Sequence, residues 1–323
     1  MLLKTYKTNQ PLILALLPLI AILLWFPAFK SPSTLEIENT TYVFNYFVTK
    51  SILVNNLLAI FIILTSAIIL NTTINKNEFF HRNIYLSSFL YLLISSSVPN
   101  LNTLHPLLFA NLFVILAFRR LINIHSQVSC KSEIFDATLF FLIAGSFYPP
   151  TFLLIPFSWL ALVIFRPFRL KEWLTPFLAF GIFLIYYFSS FLFLVNTPTF
   201  AILNTINYSV YVNNSHSILF YSISLISSTS FFLGLYQIHK KRQRSSIRFK
   251  KMTNSISTFF AWGLASFILV FSTTISYDFL YLLSIPLIIG MSYFFIYFKK
   301  TIVAEVFLIG LTVLIFLNNY LAN

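Results

Sequence analysis

One cysteine, six glycines and eight acidic side chains in 323 residues leave several chemistries without their raw material. The lone Cys130 can form no intrachain disulfide and no zinc site of several cysteines. The glycines never pair as GxxxG, so helices are expected to pack through bulky surfaces instead of glycine-lined contacts, in keeping with 40 phenylalanines, 17 tyrosines and 4 tryptophans. No P-loop, dinucleotide-binding glycine pattern or GxSxG elbow occurs. Neither His105 nor His125 has a partner at metal-ligand spacing, and the reading includes no metal and no cofactor.

Charge is scarce as well. Only 9% of residues are charged, against about 25% in soluble domains, while 58% are hydrophobic and the mean hydropathy is +0.85. That is the composition of a polytopic membrane protein. A net charge of +13 would direct a soluble chain toward nucleic acid. Here the cations form short clusters between apolar runs, where they set topology, and no nucleic-acid partner is expected.

What the chain does contain is a succession of apolar runs, most legibly in a hairpin over residues 134–173. Its runs, 134–147 and 151–165, meet at Tyr148-Pro149-Pro150. Two prolines in succession remove two backbone donors and fix φ, so no helix passes through them, and Tyr148 suits the headgroup level. Further runs cover 11–28, 51–70, 84–98, 104–118, 174–195, 218–236, 256–273, 279–298 and 302–317. The fold class is therefore all-α, a bundle of about eleven transmembrane helices. The count is nine to eleven if the SSSVPNLNTLHP turn makes part of 84–118 re-entrant. The first run follows Lys4 and Lys7 but is long for a signal peptide and lacks a small-residue cleavage site, which makes it a retained anchor.

Alternate gaps carry the cations: Lys4 and Lys7; Lys76 and Arg82; Arg119, Arg120 and Lys131; Arg166, Arg169 and Lys171; Lys240, Lys241, Arg242, Arg244, Arg248, Lys250 and Lys251; Lys299 and Lys300. Only Lys30 and Lys50 fall in the other gaps. The asymmetry places the amino terminus in the cytoplasm and the carboxyl terminus outside. The largest basic gap, 239–251, divides a main bundle, 1–238, from a three-helix segment, 252–323. Its seven Lys and Arg side chains read as a lipid-facing cluster touching anionic headgroups.

No acidic residue lies near the centre of a run, where a carboxylate costs roughly 2.5–3.5 kcal/mol. Asp136 stands at the cytoplasmic start of the hairpin, within reach of Arg119, Arg120 or Lys131, as a structural ion pair or a phosphate site. Glu36 and Glu38, in the first external loop, have the spacing of the acidic motif that GT-C glycosyltransferases place there for acid/base or metal chemistry. The external segment 196–217 is apolar enough to lie along the membrane and to cap an outward groove with that loop. Asn55, Asn56, Asn111 and the serines at 222, 224, 227, 228 and 230 read as interhelical hydrogen-bonding groups.

The block 118–183, with FRRLINIHSQ, IFDA, SFYPP and FRPFRLKEWLTPFLAFGIF, resembles an uncharacterised family of polytopic inner-membrane proteins from Bacteroidota. The resemblance implies a bacterial inner membrane and names no catalytic residue. The expected function is that of an accessory or structural subunit in envelope biogenesis, with other membrane proteins and anionic lipids as partners. The alternative is a GT-C-like transferase using a polyprenyl-phosphate-linked sugar through Glu36 and Glu38, and third comes a transporter of a lipid or apolar substrate.

Overall fold

The computed structural model describes residues 6, 12–30, 42–81, 83–126, 129–194, 218–270, 281 and 283–321. Among them the chain is helical with no strand: α1 (Leu12–Lys30), α2 (Tyr42–Asn45), α3 (Ile52–Lys76), α4 (Leu86–Ser95), α5 (Pro106–Asn123), α6 (Lys131–Phe147), α7 (Phe157–Phe165), α8 (Leu170–Trp173), α9 (Thr175–Leu194), α10 (Ile218–Gln243), α11 (Ile247–Val270), α12 (Ser284–Tyr297) and α13 (Thr301–Leu321). Each apolar run carries one of these helices, and α2 and α8 are short connectors between runs. Among the described residues, five stretches are long and apolar enough to cross a membrane: Ile52–Lys76, Pro106–Asn123, Leu170–Ser189, Ile218–Gln243 and Thr301–Leu321. These make the chain a membrane protein built as a helical bundle.

The bundle is organised around two of its shorter apolar helices. Every residue of α4 is buried, as is α12 from Ser284 to Phe295. A helix apolar on all sides needs neighbours on all sides. The two pack on each other; α3 covers α4, α10 covers α12, and α13 packs on both α10 and α1. The hairpin packs outside this core, α6 lying between α5 and α9 while α7 contacts α11. Outward faces carry Phe61, Ile185, Tyr186, Phe232 and Ile302, a surface that suits hydrocarbon.

One tight helix contact runs through two of the six glycines, contrary to expectation. A Cβ on Gly234 of α10 would stand 1.8 Å from the Gly290 carbonyl oxygen of α12, and one on Gly290 would stand 2.5 Å from the Phe231 ring. The motif GxxxG is absent because each helix supplies a single glycine to this crossing, so the signal is split between positions 56 residues apart. The serines of α10 also behave differently from the reading. The hydroxyls of Ser222, Ser224, Ser227, Ser228 and Ser230 donate to the carbonyls three residues back in their own helix. Such local bonds satisfy each hydroxyl without a partner helix.

At the hairpin break, Pro149–Leu154 forms a 3-10 helix, and Thr151 donates both its amide and its hydroxyl to the Tyr148 carbonyl. Tyr148 itself is buried, where a headgroup-level residue would be exposed.

One end of the bundle is closed by amide side chains. The turn after α4 is wholly buried from Ser96 to Val98 and from Leu101 to His105, so its backbone groups need protein partners. Asn319 Nδ2 donates to Leu24 O at 3.2 Å and Ser96 O at 3.0 Å, Asn318 Nδ2 to Ser97 O at 3.0 Å, and Trp25 Nε1 to Ser96 Oγ at 3.0 Å. Asn102 Nδ2 reaches Asn319 Oδ1 at 3.2 Å, and Asn56 Nδ2 ties α3 to Ala28 of α1 at 3.2 Å. Deeper in the bundle, Asn111 donates to Tyr91 at 2.8 Å and accepts from Ser284 at 3.2 Å. Asn56 and Asn111 thus bond between helices, whereas Asn55 bonds locally to Thr49.

Candidate functional site: a cationic pocket

The opposite end gathers the basic residues. Arg166 Nη2 donates to Ile124 O at 3.1 Å and Lys251 Nζ to Phe165 O at 2.9 Å, joining the end of the hairpin to the ends of α5 and the start of α11. Beside them opens a cavity of about 740 Å³.

Four segments build it. The last turns of α10 supply Gln237, Lys240 and Lys241; the following loop and the first turns of α11 supply Arg244, Arg248, Phe249 and Met252; the turn after α3 supplies Asn77, Glu78 and His81; and the end of α12 supplies Tyr293 and Tyr297. Four of these side chains are cations and one is a carboxylate, so the cavity carries a positive field that its apolar floor does not screen. Tyr293 and Phe249 are buried in that floor.

Lys241 is held by the floor itself. Its Nζ lies 4.8 Å from the Tyr297 ring centre, 5.1 Å from Phe249 and 5.5 Å from Tyr293, and donates to the Tyr297 hydroxyl at 3.3 Å. Three negative ring faces and the carboxyl end of α10 favour an ammonium group there, in opposition to the burial that disfavours its charge. Lys240, Arg244 and Arg248 are exposed around it.

Side-chain bonds hold the described residues of the turn after α3. Asn75 bonds the Ile84 backbone in both directions, Nδ2 to O at 3.0 Å and Oδ1 from N at 3.3 Å. Asn77 Nδ2 donates to Thr73 O at 2.9 Å, and the Tyr293 hydroxyl donates to Phe79 O. These bonds fix where Glu78 stands. Its carboxylate is 3.9 Å from Arg248 across the cavity mouth.

The other residues singled out in the sequence fall in three places. Lys240, Lys241, Arg244 and Arg248 line the cavity; Arg242 and Lys250 lie outside its lining, and Lys251 turns to the hairpin. Arg120 Nη2 meets Asp136 Oδ2 at 3.2 Å in a half-exposed pair, with Arg119 half-buried beside Arg120 in the chain. Such a pair contributes about 0–1 kcal/mol. Glu36, Glu38 and the segment 196–217 lie outside the described residues.

A more deeply buried ionic cluster gave little sign in the sequence. Glu172 is 3% exposed and sits 3.8 Å from both Arg166 and Arg169 within the RPFRLKEW run. Burial, and then the neighbouring Glu172 carboxylate, push the Cys130 thiol up to about 12. The available signal was an acidic residue enclosed by two arginines in one short connector. Among the described residues no group of three or more His, Cys, Asp and Glu side chains is placed to hold a metal ion. Comparison of the chain with protein-family models, with curated proteins and with solved structures yields no match.

Proposed function

We propose that this chain is a multi-pass protein of a bacterial inner membrane that acts as an accessory or structural subunit in envelope biogenesis, and that its working site is the cationic pocket, which takes the anionic headgroup of a membrane lipid. The observation that carries this is the pocket's composition, four cations over an aromatic floor with one opposing carboxylate. A phosphate oxygen accepts charge-assisted hydrogen bonds from Lys and Arg, and the apolar floor suits the start of an acyl chain. The cation clusters support a cytoplasmic position for this end of the bundle, where anionic leaflets attract basic segments.

Two experiments examine the reading. Ser245, on the pocket rim, replaced by cysteine in a Cys130→Ser background, is labelled by an impermeant maleimide only after the membrane is opened; labelling of intact cells would reverse the orientation. Delipidated protein titrated with dihexanoyl phosphatidylglycerol binds about one lipid per chain and discriminates against dihexanoyl phosphatidylcholine. Equal affinity for the two lipids, or binding untouched by Lys240→Gln, Arg244→Gln and Arg248→Gln together, would contradict it.

A further inference from the structure

Helix α3 ends in a Schellman motif with the wrong residue. The Phe79 amide bonds back to Ile74 O at 3.4 Å and the Glu78 amide to Asn75 O at 3.1 Å, the paired 6→1 and 5→2 bonds of that cap. The two residues whose contact accompanies such a cap, Ile74 and Phe79, are both fully buried. The residue that must turn into the left-handed region is normally glycine. Here it is Glu78, with φ 54°, and among the described residues no other non-glycine has a positive φ.

A glutamate in that position is strained, and its side chain does nothing for the fold that would offset the strain. The Glu78 side chain is 79% exposed, and its ion pair with Arg248 is long and solvated. What the position does provide is aim. The rigid cap holds a carboxylate at the mouth of a pocket whose other charged groups are all cations. Strained residues held by a rigid frame are found where function requires them.

We propose that Glu78 is a tethered competitor of the pocket's ligand: its carboxylate occupies Arg248 in the empty site and is displaced when a phosphate-bearing anion binds. The proposal rests on the pocket being an anion site. The carboxylate is a weaker partner for a guanidinium than a phosphate, which brings more negative charge and more acceptor oxygens. It therefore excludes small weak anions while yielding to phosphate. Because the pair is solvent-exposed, its effect on affinity is modest, about fivefold.

The experiment is a calorimetric titration of the full chain in detergent with dihexanoyl phosphatidylglycerol and, separately, with glycerol phosphate. Glu78→Gln, which removes only the charge, and Glu78→Gly, which removes charge and strain, both tighten binding about fivefold, and Glu78→Gln has no such effect in an Arg248→Gln background. Glycerol phosphate binding as tightly as the lipid would keep the displacement and assign the ligand to a soluble source. If the unaltered protein binds but Glu78→Gln leaves the affinity unchanged or weakens it, or if only Glu78→Gly tightens it, the competitor role is overturned and the pocket reading survives. If no variant binds either compound, both fall.

Discussion

The two ends of the bundle solve the same problem in opposite ways. At the asparagine-rich end, a buried turn has its carbonyls met by side-chain amides of Asn318 and Asn319, and three chain segments close on one another. At the cationic end, exposed Lys and Arg side chains surround an open cavity, and a glutamate sits in a conformation that suits glycine. Hydrogen bonds between buried polar groups tie segments of a fold together, whereas exposed cations crowded around a cavity and a residue held in the left-handed region do not. The difference teaches that the bonds closing the bundle lie at one end, while the charges that the proposed ligand would need lie at the other.

The largest expected effect is at the closed end. Asn319→Ala strips partners from the Leu24 and Ser96 carbonyls and from the Asn102 amide at once. Each buried group left unmade costs about 1–3 kcal/mol, so unfolding in detergent by heat should fall by about 3 kcal/mol in total. Headgroup binding by the folded fraction should be unchanged. A variant that binds poorly while melting normally would show that the ends are coupled.

Next comes the open end. Replacing Lys240, Arg244 and Arg248 by glutamine should lower phosphatidylglycerol affinity by more than about tenfold, about 1.4 kcal/mol, with a melting temperature within a few degrees of the parent. The loss should shrink as ionic strength rises, because exposed charges are screened over about 10 Å at 0.1 M salt. A smaller change of the opposite sign is expected from Glu78→Gly. Relief of a left-handed residue is worth about 1–2 kcal/mol, glycine's extra unfolded entropy returns about 0.5–1 kcal/mol, and the net gain is about 0.5–1 kcal/mol in chemical unfolding. Unchanged stability would remove the strain from the account. The smallest signal is at Cys130, whose buried thiol should react with maleimide only on the timescale of unfolding; prompt labelling of the folded protein would show that the Glu172 cluster is open.

The long helices were legible because apolar runs of 16–20 residues approach a bilayer's thickness and are bordered on at least one side by cations, as in α3, α10 and α13. For α4 and α12 the hydropathy showed helices but not their full burial, which depends on neighbours far along the chain. The basic gap at 239–251 was visible, yet the pocket was not, since Tyr293 and Tyr297 reach Lys241 across more than fifty residues. Glu78 gave no sign at all, because the eye seeks a glycine to end a helix. Asp136 and Arg120 were readable as neighbours flanking one turn of the fold, whereas Glu172 needed the geometry of the RPFRLKEW connector to show that it is buried.

The most direct measurement is native mass spectrometry of the chain extracted gently from its own membrane, beside the variant lacking the Lys240, Arg244 and Arg248 charges. The pocket account predicts one retained phosphate-bearing lipid per chain in the parent and its loss in the variant. Equal retention in both, or no phosphate-bearing lipid on the parent, would contradict it.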